Sequence, residues 1–95
     1  MNVFFEDLGL RFQRAAERRG ASVAPPQLDS EVARELLELA RVAAHTQERR
    51  FAPLASFMAG VAAERMHAAG WSGDAGAVAE MIREVRLELE PEAPA

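Results

Sequence analysis

The chain is divided by three interruptions that no regular element can cross, and they leave room only for helices. The first is Gly20 followed by Pro25-Pro26, the second is the polar run Thr46 to Phe51, and the third is Gly70-Trp71-Ser72-Gly73-Asp74. Between them apolar residues recur at three- and four-residue intervals, the period of one helix face. Period-2 alternation is not sustained, and the β-branched and aromatic residues that favour strands are scarce. The expected fold is all-α, a compact four-helix bundle with short connections. A single helical domain is expected over residues 1–90, with 91–95 as a flexible tail.

Each segment carries its own start and stop signals. The first helix is expected from Val3 to Arg19, capped by Asn2 and stopped by Gly20, with Phe4, Phe5, Leu8 and Phe12 on its apolar face. Ala21 to Gln27 reads as a stiff connector. The second helix is expected from Ser30 to His45 with Asp29 as N-cap, Val32, Leu36, Leu39, Ala40 and Ala43 inward, and Arg34, Glu38, Arg41 and His45 outward. Pairs Arg34/Glu38 and Glu38/Arg41 have the spacing to interact. The fourth is expected from Ala75 to Glu90, with Asp74 as N-cap, Val78, Met81, Ile82, Val85 and Leu89 inward, and Pro91 as the stop.

The third helix, expected from Pro53 to Ala69, has no charged residue between Pro53 and Ala63. Leu54, Phe57, Met58 and Val61 form one side, and the whole stretch is expected to be shielded from water on every side, by neighbouring helices or a second chain. Ala55, Ser56, Ala59, Gly60 and Ala63 form the other and are expected at a packing interface. A helix apolar or small all round is normally covered on more than one side. Gly60 is about 1 kcal/mol less favourable than Ala in mid-helix, which predicts close approach of another backbone. This surface predicts a homodimer or a protein partner.

Composition limits the chemistry. Ninety-five residues without cysteine exclude disulfides, thiolate metal sites and cysteine nucleophiles. The net charge is −4 and all 11 basic residues are Arg, interleaved with Glu, so a nucleic-acid partner is not expected. No apolar run approaches a membrane span of ~18 residues. The N-terminal acids Glu6 and Asp7 do not fit a secretion signal. The expected location is cytoplasmic, with no membrane partner.

No catalytic set emerges, and no enzyme activity, metal or cofactor is expected. Glu64-x-x-His67 has the spacing of half a di-iron helix, but its only mate, His45-x-x-Glu48, runs in reversed order, so a solvated pair is the simpler reading. Gly70-Trp71-Ser72-Gly73-Asp74 departs from G-x-S-x-G at Asp74 and follows no strand, so it reads as a loop and helix cap. The cluster Arg41, His45, Arg49 and Arg50 precedes the third helix's N-terminus. Forked guanidinium donors beside free helix N–H groups suit an anionic small molecule, a nucleotide or phosphate, or an acidic partner. His45 is also placed to hold the turn through a ring N–H.

The run Leu39-Ala40-Arg41-Val42-Ala43-Ala44-His45, then Glu48-Arg49, then Ala52-Pro53-Leu54-Ala55-Ser56-Phe57-Met58-Ala59-Gly60-Val61-Ala62-Ala63 resembles a small bacterial helical domain of unknown function. That domain is found alone or fused behind molybdenum cofactor guanylyltransferase-type nucleotidyltransferases. The similarity covers about residues 28–66 and departs at Arg50-Phe51. It implies an accessory or interaction role near molybdenum-cofactor or nucleotidyltransferase chemistry. The residues it carries over are Arg41, His45, Arg49, Pro53 and Gly60, without assigned roles.

Overall fold

The computed structural model describes residues 2–92. It is all-α, as expected, with four helices: α1 Val3–Glu17, α2 Ser30–Thr46, α3 Phe51–Ala68 and α4 Ala75–Leu89. The chain forms two compact units, Met1–Ser30 and Glu31–Ala95.

The first unit is α1 with its connector folded back on it. Asn2 caps the helix, its side-chain oxygen accepting from the Phe5 N–H at 3.2 Å. The C-terminus closes as a Schellman motif. Gly20 takes φ 82°, its N–H donates to Glu17, and the Ala21 N–H reaches back to Ala16. The helix therefore ends two residues before the expected Arg19. Its inward face also differs. Gly9 is buried, whereas Phe4 and Phe12 are exposed. A Cβ on Gly9 would overlap the carbonyl of Pro26, so the diproline strap crosses α1 where there is no side chain. Gln13 Nε2 donates to the Val23 carbonyl at 3.0 Å and ties the strap down.

The second unit holds the main core. Leu39 of α2, Ala63 of α3, and Val78 and Ile82 of α4 are buried together, with Leu36, Ala55, Ala59, Trp71 and Met81 packed around them. Asp74 caps α4 by accepting from the Ala77 N–H at 2.9 Å. Glu90 is the C-cap and Pro91 follows, at the expected stop. Of the expected tail, 93–95 lie outside the described residues.

α3 begins at Phe51, two residues earlier than expected. Pro53 is then the third residue of the first turn, where its missing N–H still costs no intrahelical bond. The larger correction is that the uncharged stretch of α3, expected to be covered on every side, is covered on one. The alanines face in: Ala63 is buried, and Ala55 and Ala59 pack on the core. The bulky side faces out: Phe57 and Met58 are each 71% exposed and Leu54 60%. Small residues let α3 lie close to its neighbours, and the large ones then have no interior to fill.

Candidate interaction surface

The α3–α4 turn is built around the one tryptophan. α3 ends in a second Schellman motif, with Gly70 at φ 101°, its N–H on His67 and the Trp71 N–H on Met66. The indole then folds over Gly73, where a Cβ would overlap the ring. The His67 imidazole stacks on Trp71 with centroids 5.1 Å apart, and its Nε2–H donates to the Gly73 carbonyl at 2.8 Å. His67 thus holds this turn, whereas His45, expected to hold the turn between α2 and α3, is exposed. Glu64 lies 4.0 Å from the other ring nitrogen, and no cluster of metal-ligating side chains occurs among the described residues. The reading of Gly70 to Asp74 as a loop and cap describes what is there.

The four residues of the cationic cluster have separate environments. Arg41 bonds Glu38 and Glu90, both at 3.2 Å. Arg50 pairs with Glu48 at 3.3 Å, and His45 and Arg49 are exposed. The helix end behind them offers few donors. The Phe51 and Ala52 N–H groups already bond the carbonyls of Glu48 and Arg49, and Pro53 has no N–H. Of the two expected pairs on α2, Glu38/Arg41 forms.

A polar clamp that periodicity did not reveal joins α2 to α4. Arg86 reaches Glu35 at 3.3 Å and Glu90 at 3.2 Å, and Glu90 also receives Arg41. Burial works against the Arg86 charge, but the hydrogen bonds to Glu35 and Glu90 outweigh it, and its pKa rises. Its Nε is buried without a partner. The sequence signal was the spacing Ile82 to Arg86, which sets the Arg one turn along the buried stripe.

A groove of about 310 Å³ runs along α3 and α4, floored by Leu39 and Ile82. Ala62 and Met58 line it from α3, and Met81 and Val85 from α4. Val85, expected in the core, is 42% exposed because it stands at this opening. The other side of α3 carries a second, shallower depression bordered by Phe57, Gly60, Val61 and Glu64. Gly60, expected beneath a neighbouring backbone, has nothing within 4 Å of where its Cβ would be. The expected packing set thus divides. Ala55, Ala59 and Ala63 pack inside the protomer, Ser56 is half-buried with its hydroxyl on the Ala52 carbonyl, and Gly60 is open.

An all-α protein of four helices with an apolar groove between two of them is the class that this geometry defines. The chain belongs to the family described as domain of unknown function (DUF6457), whose model matches residues 7–94. No curated protein and no solved structure matches it. No helix among the described residues is long and apolar enough to cross a membrane.

Proposed function

We propose that this chain is a non-enzymatic protein-interaction or accessory module that receives a partner helix in the α3–α4 groove. The observation that carries this reading is the lining of the groove, apolar throughout and drawn from three helices. Met58 and Met81 suit such a role, because flexible thioethers re-pack against varied apolar shapes. The partner helix presents apolar residues at i, i+3/i+4 and i+7. Glu84 and Glu88 are exposed one and two turns beyond Met81 and share an adjoining depression with it, where they favour basic residues beside that stripe. The resemblance in Leu39 to Ala63 supports a bacterial, cytoplasmic accessory role beside molybdenum-cofactor or other nucleotidyltransferase proteins.

Affinity capture with the full chain and with Val85→Glu, followed by mass spectrometry, tests the reading. The expected result is a protein retained by the native chain and lost from the variant, with the variant's melting temperature unchanged. Identical sets from both proteins would contradict it.

A further inference from the structure

We propose that the outer side of α3, facing away from the groove, pairs antiparallel with α3 of a second copy of this chain about a two-fold axis at Phe57. The inference accepts that the domain is an interaction module, but it uses a different surface.

Successive seven-residue steps run down this side of the helix. Arg50, Phe57 and Glu64 form one row, and Leu54, Val61 and Ala68 the next. Two interleaved rows at this spacing make the seam of a paired helix. The row through Phe57 is self-complementary. Arg50 and Glu64 stand seven residues to either side, about 10 Å along the axis at 1.5 Å per residue. In an antiparallel pair centred on Phe57, each Arg50 lies level with the other copy's Glu64. A parallel pair sets Arg50 against Arg50 and Glu64 against Glu64, so the charge order selects the antiparallel arrangement. Glu64 is 85% exposed, and the Arg50–Glu48 pair is exposed and therefore easily exchanged.

The shape agrees. Helical side chains lean toward their own N-terminus. The second copy's Phe57 therefore leans toward the C-terminal half of the first α3, where Gly60 leaves open space. On the other flank Leu54 lies beside the second copy's Val61. The mid-helix glycine, unexplained within one protomer, becomes the place where the second aromatic ring enters. The contact is confined to one side of a single helix of 18 residues, less than the ~800 Å² per partner of stable complexes, so the dimer is weak and concentration-dependent.

Sedimentation equilibrium of the full chain, from about 10 µM to about 1 mM, tests the proposal in the range where a contact of this size associates. The expected mass rises from 10.4 kDa toward twice that value. Phe57→Glu remains monomeric throughout. Arg50→Glu and Glu64→Arg each weaken association about five- to tenfold, because symmetry counts every pair twice. The double reversal restores it. A chain that stays monomeric to about 1 mM, or a dimer insensitive to Phe57→Glu or to the single reversals, overturns the proposal. Loss of the groove partner through Val85→Glu with self-association intact would leave this inference standing, and the converse would leave the groove reading standing.

Discussion

Replacing Gly73 with alanine places a methyl group inside the space of the Trp71 ring. Neither can give way cheaply. The indole is held by its stack on His67 and by packing on the core, and the Gly73 carbonyl is held by His67 Nε2. If the ring swings out, the stack is lost, about 0.5–1.5 kcal/mol. The carbonyl bond loosens with it, about 0.5–1.5 kcal/mol. Apolar area from a half-buried indole adds roughly 1 kcal/mol. The expected destabilisation is about 2–4 kcal/mol, a fall in melting temperature of roughly 8–30 °C for a domain of this size. Trp71 is the only tryptophan, so its fluorescence reports the event directly and shifts to the red as the ring meets water. His67→Phe separates the terms. It keeps a ring to stack but removes the Nε2 donor, and is expected to cost only about 0.5–1.5 kcal/mol. A Gly73→Ala protein with native emission and a melting temperature within about 2 °C of the native value would refute this account of the turn.

The two mid-helix glycines, Gly9 and Gly60, are expected to respond with opposite sign. Gly9→Ala, blocked by the Pro26 carbonyl, destabilises by about 1–3 kcal/mol. Gly60→Ala, with open space around it, stabilises the dilute protein by about 0.5–1 kcal/mol; urea titrations of both variants check the pair. The Asp7 carboxyl is held below its ordinary 3.8 by the hydrogen bond and charge of Arg11 at 2.6 Å. Its contribution is therefore present above the ordinary value and is lost as pH falls through the depressed one. Arg11→Ala should raise the Asp7 midpoint in an NMR titration. Arg86→Met leaves Glu35 without its cation in a site only 16% exposed, so thermal stability falls, and Glu35→Gln on the same background recovers part of it.

Residues with one possible role were legible from sequence, and residues with two were not. Asn2, Asp74, Gly20 and Gly70 announced their caps because their side-chain chemistry, or its absence, has one use at a helix end. α3 gave no such guidance. With no charged residue from Pro53 to Ala63, nothing polar marks its outer side, and apolar periodicity alone cannot orient the helix. Size decided instead: Ala55, Ala59 and Ala63 allow close packing, so Leu54, Phe57 and Met58 are turned out. Close backbone approach occurs at Gly9 rather than Gly60, and its partner is a diproline strap seventeen residues along the chain that no helical period reveals. His45 and His67 each end a helix, and only the folded turn brings a carbonyl and an indole to the second. The Arg86–Glu35 pair has no local signal, because its two members are 51 positions apart.

The orientation of α3 is what both proposed surfaces rest on, and denaturation of Phe57→Ala in dilute solution measures it. An outward Phe57 predicts a change within about ±0.5 kcal/mol, as for other surface substitutions. A loss of about 3–5 kcal/mol, the cost of emptying a core phenylalanine site, would place that side of α3 indoors and contradict the account.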